Sequence, residues 1–111
     1  MKYRNHRVVV FGETFDSKAE AQRWLDLRLL ERAGKVGAIQ RQVRFELAPA
    51  VKFEGSARAK PALTYTADFV YAENGRTVVE DVKSEPTMTA AFQIKRHLMK
   101  SIHGIDIRLV K

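Results

Sequence analysis

Hydrophobic positions change their spacing along this chain, and each spacing predicts an element. From Ile39 to Leu47 the pattern alternates, with Gln40, Gln42, Arg44 and Glu46 on one side and Arg41, Val43, Phe45 and Leu47 on the other. A strand sends successive side chains to opposite faces, so this stretch reads as a strand with one wet face. Leu63 to Ala72 and Arg76 to Lys83 are rich in β-branched and aromatic residues, and Asn74-Gly75 between them is a tight-turn pair. The two should therefore form an antiparallel hairpin. Val8 to Phe11, broken by Gly12, predicts a short strand or hairpin, and Ile105 to Val110 a last short strand. Helical spacing begins at Asp16-Ser17 and runs to Ala33, with Gly34 as its stop. It returns from about Met88 to His103, ended by Gly104. There Ala91, Leu98 and Ile102 form one stripe, and Phe92 and Met99 a neighbouring one.

The order is helix, three strands, helix, strand. It predicts an α/β domain with an αβββαβ core and a mixed β-sheet flanked by helices. The chain has 111 residues and neither internal repeats nor low-complexity tracts, so one domain over 1–111 is expected. Within it, residues 1–7 form a basic N-terminal arm. Residues 49–61, which mix Gly, Ser, Pro and basic residues without periodicity, form a basic flexible loop.

Charge narrows the partners. Twenty Lys and Arg against 13 Asp and Glu leave a formal charge of +7, which favours a polyanion, nucleic acid first, over a merely solvated basic surface. Lys2, Arg4 and Arg7 of the arm and Lys52, Arg58 and Lys60 of the loop are the candidate phosphate contacts. With no cysteine, disulfides and thiolate metal sites are excluded. Carboxylates remain as ligands, and hard oxygen donors favour magnesium or manganese over zinc. The opening residues lack the apolar run of a signal peptide, and no stretch approaches the length of a membrane span. The expectation is a soluble, intracellular, cytoplasmic protein with no membrane partner.

The candidate chemistry sits on the predicted hairpin. Strand parity makes Asp81 and Lys83 project together while Glu80 points the other way. Asp68 shares its strand face with Thr66 and Val70, and Leu63, Tyr65, Ala67, Phe69 and Tyr71 take the opposite one. Taken singly, Asp68 is equally explained by a structural salt bridge, and Asp81 with Lys83 by an exposed edge pair. Taken together on consecutive strands they form a grouping suited to metal-assisted phosphodiester hydrolysis: acids for a cation, and an ammonium near the attacking water or the phosphate. Glu20 has two readings. In Ser17-Lys18-Ala19-Glu20 it completes a capping box, reaching back to the Ser17 amide, yet it also lines up with Trp24 and Leu27 and so could face the sheet. Lys95 lines up with Phe92 and Met99, which turns its ammonium toward the sheet edge or lets it snorkel to solvent. The three histidines lack metal-ligand spacing.

Glu20, then Asp68, then Asp81-Val82-Lys83 in this element order resembles the PD-(D/E)XK nuclease superfamily, with Ala67 standing where the motif's name has proline. More narrowly, the chain resembles small phage-encoded, archaeal-type Holliday junction resolvases. The segments that carry this are Tyr3-Arg4-Asn5, Phe15 to Ala21, Gln42 to Leu47, Tyr65 to Tyr71, Glu80 to Lys83 and Ile94-Lys95-Arg96. The resemblance implies a restriction-endonuclease-like core in which Asp68 and Asp81 bind Mg2+, with Mn2+ able to substitute. Glu20 would complete the acidic cluster, and Lys83 would orient the attacking water and stabilise the pentacoordinate phosphate. Ser17, Lys95 and Arg96 join the arm and loop as implied DNA contacts. The implied activity is paired symmetric nicking of four-way DNA junctions by a homodimer, in the host cytoplasm if phage-encoded, leaving 5′-phosphate and 3′-hydroxyl ends. The alternatives are another nuclease of the superfamily, such as a nickase or a flap or debranching enzyme, and a non-catalytic DNA-binding module.

Overall fold

A computed structural model describes residues 7–83 and 88–111. Lys2 and Arg4 of the basic arm lie outside the described residues. The first described element is a small hairpin, β1 (Val8–Val10) and β2 (Glu13–Phe15), which leads into α1 (Lys18–Arg32). Three long strands follow, β3 (Gly37–Ala48), β4 (Leu63–Glu73) and β5 (Arg76–Val82), then α2 (Ala90–His103) and β6 (Arg108–Val110). The main sheet has the order β3-β4-β5-β6, antiparallel except for the parallel β5–β6 pair. Parallel neighbours need a crossover, and α2 supplies it. The fold is therefore the mixed α/β, αβββαβ arrangement that the sequence predicts.

Local chemistry sets the element ends. Ser17 caps α1 by accepting a hydrogen bond from the Glu20 amide at 3.1 Å, and Thr89 caps α2 the same way with the Phe92 amide at 3.1 Å. The Glu20 carboxylate reaches back as expected but accepts from the Asp16 amide, at 3.3 Å, and not from Ser17. Gly104 ends α2 in the left-handed region at φ 70°, which lets the Gly104 and Ile105 amides donate to the last free carbonyls, Lys100 and Met99. Asn74 and Gly75, at φ 52° and 76°, form the two-residue turn between β4 and β5. The 49–61 segment is an exposed extension of the β3–β4 hairpin, clasped where the Val51 and Lys60 backbones bond each other.

The sheet is covered on both faces. Phe15, Ala21, Leu27, Val36, Phe69, Tyr71 and Val78 form the core under α1 and the small hairpin. Leu47, Tyr65, Ala67, Val70, Val79, Phe92, Met99 and Ile107 form the core under α2. On α2 the buried stripe is Phe92 and Met99, whereas Ala91 and Ile102 of the other expected stripe are exposed. The helix rests on the sheet by a narrow seam, and one stripe fills it.

One expectation about β4 is corrected. Tyr65 and Ala67 pack under α2, while Phe69 and Tyr71 pack under α1, so the odd positions do not share one face. The neighbouring strand changes face with it, because Ile39 packs on the α1 side and Val43 and Phe45 on the α2 side. The register is the same on both sides of the change, Arg41 opposite Phe69 and Val43 opposite Ala67. Both strands thus turn over together at Gln42 and Asp68. Gln42 sits at φ 53°, a conformation that costs energy for a residue with a Cβ.

Candidate functional site

The turnover point is where the polar residues collect. β4 and β5 pair from Glu73–Arg76 to Phe69–Glu80, and no further. At the next step the ladder is continued by side chains. The Asp68 amide donates to Asp81 Oδ1 at 3.0 Å, and the Val82 amide donates to Asp68 Oδ2 at 2.9 Å. Two carboxylates thus stand side by side in the mouth between diverging strands, each with one oxygen held by a backbone N–H and one left over. Lys83 follows Asp81 on the same face, its Nζ 3.7 Å from Asp81 Oδ2 and 4.5 Å from the centre of the Phe92 ring on α2. The sequence expectation that Asp68, Asp81 and Lys83 project to one point matches this geometry.

Electrostatics at the pair are strained. Burial, and then the neighbouring Asp81 charge, push the Asp68 carboxyl up to about 7, against the favourable bond from the Val82 amide. Glu20 adds to the repulsion from a distance. Its own carboxyl is raised by burial, and its two oxygens accept from the Asp16 amide and from Gln42 Nε2 at 3.0 Å. Glu20 does face the sheet, being 4 % exposed, but Gln42 ties it down on the β3 side. Among the described residues no group of three or more His, Cys, Asp or Glu side chains is arranged to hold a metal ion. Among the described residues Asp68 and Asp81 form a pair, and Glu20, whose charge is felt at Asp68, is bonded to Gln42. A polar recess of about 290 Å³ opens beside Glu20, lined by Arg7, Thr14, Asp16, Arg41 and Gln42. A larger, more apolar groove of about 690 Å³ runs between Phe11 and Trp24, Leu25 and Leu29 of α1; none of the three site residues Asp68, Asp81 and Lys83 lines it.

The remaining candidates are spread over the surface. Arg7, Lys52, Arg58, Lys60, Lys95 and Arg96 are exposed, and for Lys95 this agrees with the reading in which its ammonium reaches solvent. Ser17 is occupied by capping. His103 packs on Phe45, with Nε2 2.8 Å from the Glu46 carbonyl.

Two features escaped the sequence reading. On the α1 face, fully buried Glu80 accepts from Arg23 Nε at 2.7 Å, Arg23 Nη2 at 2.9 Å and the Tyr71 hydroxyl at 2.6 Å. Arg108 extends this network by donating to Tyr71 and to Glu73. Parity sent Glu80 only to the face opposite Asp81 and Lys83, and nothing in the sequence marked Arg23 as its partner. On the α2 face, Tyr65 is 3 % exposed and its hydroxyl has no hydrogen-bond partner among the described residues, although it lies against Asp81. Burial and the Asp81 and Asp68 charges keep that phenol protonated.

No helix among the described residues is long and apolar enough to cross a membrane. Neither the curated proteins nor the solved structures contain a match to this chain. A family model does match residues 1–110, and by it the chain belongs to the family described as protein of unknown function, DUF1064.

Proposed function

We propose that this protein is a magnesium-dependent, structure-selective DNA endonuclease of the PD-(D/E)XK type, acting as a homodimer to resolve four-way junctions by paired symmetric nicks. The observation that carries the reading is the Asp68–Asp81 pair in the mouth between β4 and β5, with Lys83 beside it. Two adjacent carboxylates, one raised to about 7, are costly to keep where folding alone has no use for both charges. A hard divalent cation suits them. Magnesium is commonly held by one or two protein carboxylates, with waters and substrate phosphates completing its shell, so a pair of acids among the described residues is compatible with it. When bound, it would supply Lewis acidity at the phosphate and a water of lowered pKa.

The chain's own groups divide the remaining work. Asp68 and Asp81 each use one oxygen on a backbone amide, which fixes the carboxylate plane and leaves the second oxygen for the cation. Lys83 is kept near them by Asp81 and by the face of the Phe92 ring, and so offers fixed positive charge to the phosphorane oxygens or the attacking water. Exposed Lys52, Arg58 and Lys60 on the β3–β4 extension, with Arg7, Lys95 and Arg96, support binding to the DNA backbone. Phe11 and Leu29, 91 % and 62 % exposed beside the apolar groove, offer a surface for the second copy.

The test is digestion of end-labelled four-way, three-way, flap, nicked and linear DNA by the purified protein with Mg2+. Symmetric paired cuts on the four-way junction, with Asp81→Ala binding but not cutting, are the expected result. Equal cutting by Asp81→Ala would remove the active-site assignment. A preference for linear duplex would move the protein to another nuclease class, and binding without cleavage of any substrate would leave a DNA-binding module.

A further inference from the structure

The two buried tyrosines of β4 are treated differently by their surroundings. Tyr71, on the α1 face, has three partners: its hydroxyl donates to Glu80 at 2.6 Å and lies 3.2 Å from Arg108 Nη1 and 3.5 Å from Arg23 Nη2. Tyr65, on the α2 face, has none among the described residues, yet it is as deeply buried. Its ring is fully accounted for, packed between Phe45 at 6.4 Å and Phe92 at 6.3 Å between centroids, and a phenylalanine would fill that space equally well. A buried hydroxyl without a partner is penalised relative to the same ring without it. The chain nevertheless carries the hydroxyl, and carries it beside Asp81.

The position gives that oxygen one neighbourhood to serve. Asp81 Oδ1 is already committed to the Asp68 amide, and Lys83 stands off Oδ2 at 3.7 Å, too far for a strong bond. Asp68 Oδ2 is committed to the Val82 amide. What the pair lacks is a donor that fixes the free carboxylate oxygens when a ligand occupies them. Carboxylates that bind metals are regularly oriented by such outer hydrogen bonds, and loss of one weakens metal binding.

We propose that Tyr65 is a positioning residue of the Asp68–Asp81 site, its hydroxyl donating to the Asp81 carboxylate once that carboxylate turns to take a divalent cation. The inference rests on the metal reading above and adds to it a residue that touches neither metal nor DNA. Packing between Phe45 and Phe92 lets the phenol hold its direction beside Asp81.

The experiment is calorimetric titration of Mn2+ into the wild type, Tyr65→Phe and Asp81→Asn, with urea unfolding of each in EDTA. Tyr65→Phe should bind Mn2+ about 10-fold more weakly than wild type. Its metal-free stability should be equal or greater, because only an unpartnered hydroxyl is lost. Asp81→Asn should lose measurable binding. Wild-type affinity in Tyr65→Phe would overturn the assignment while leaving the metal site standing, and so would a weaker affinity accompanied by a matching loss of metal-free stability. No binding by the wild type itself would overturn the metal reading and this inference together.

Discussion

Replacing Asp68 by asparagine separates a carboxylate kept for function from one kept as a strut. Asparagine retains an oxygen that can accept from the Val82 amide, so the bond at 2.9 Å survives and only the charge is removed. In the folded protein the Asp68 carboxyl is raised from 3.8 to about 7, chiefly by burial and then by Asp81. A raised acid holds its proton more tightly when folded than when unfolded. Its contribution to stability is therefore complete below the unfolded value of 3.8 and is lost as the pH rises through about 7. Each unit between these values costs about 1.4 kcal/mol, which sets a ceiling of about 4 kcal/mol over the interval. Solvent reaching the open mouth between the strands screens part of this, and about half, ~2 kcal/mol, is the expected loss.

Asp68→Asn lacks that loss. In EDTA the variant should match the wild type in urea unfolding near about pH 3.5, below the unfolded value of 3.8, and exceed it by about 1–2 kcal/mol near about pH 8.5. The corresponding gain in melting temperature at the higher pH is roughly 4–8 °C, and the variant should not cut DNA at either pH. The reasoning fails if Asp68→Asn is destabilised by the same amount at both values. The carboxylate would then be a structural acceptor for Val82, and the proximity of Asp81 would carry no functional message.

The Glu80 network tests the opposite case, a buried charge that is fully paired. Arg23→Met should cost about 3–5 kcal/mol in urea unfolding, because Glu80 is left charged and buried with only Tyr71 as donor. Arg23→Met with Glu80→Leu should recover most of it, and a cost under about 1 kcal/mol for the single variant would refute the pairing as drawn. Lys52→Ala, Arg58→Ala and Lys60→Ala together should weaken DNA binding without affecting folding. If all three meet phosphates, the slope of log K against log salt should fall by about 3, and an unchanged slope would place the DNA elsewhere.

The fold was legible in this sequence because its signals are local. Alternation in β3, the Asn74-Gly75 turn, the Ser17 cap and the Gly104 stop each follow from the chemistry of a few neighbouring residues, and each is realised within a residue or two. Asp81 and Lys83 were legible for the same reason, since two residues on a strand share a face whatever lies around them. What parity could not reveal is a strand that changes face midway. Leu63 to Tyr71 is apolar at nearly every odd position, and nothing in that pattern marks Asp68 as the point where the odd positions move from α2 to α1. The reason is long-range: β3 turns over at the same level, with Gln42 in an unfavourable conformation and its side chain tied to Glu20.

That one event accounts for the whole polar row. Because β4 turns over at Asp68, its carboxylate falls into the plane of the sheet and takes the place of the next ladder carbonyl for Val82. Because β5 ceases to pair with β4 there, Asp81 can reach the Asp68 amide. Tyr65, three residues before the change, is left under α2 with its hydroxyl beside Asp81, whereas Tyr71, three residues after it, finds Glu80 under α1. The same turnover that brings the two acids together also separates Glu20 from them, behind Gln42 on the β3 side. For Glu20 to join the site, Gln42 would have to release it. Gln42→Ala offers a direct check, since freeing Glu20 should strengthen Mn2+ binding if Glu20 joins the pair and leave it unchanged if Glu20 serves only the start of α1.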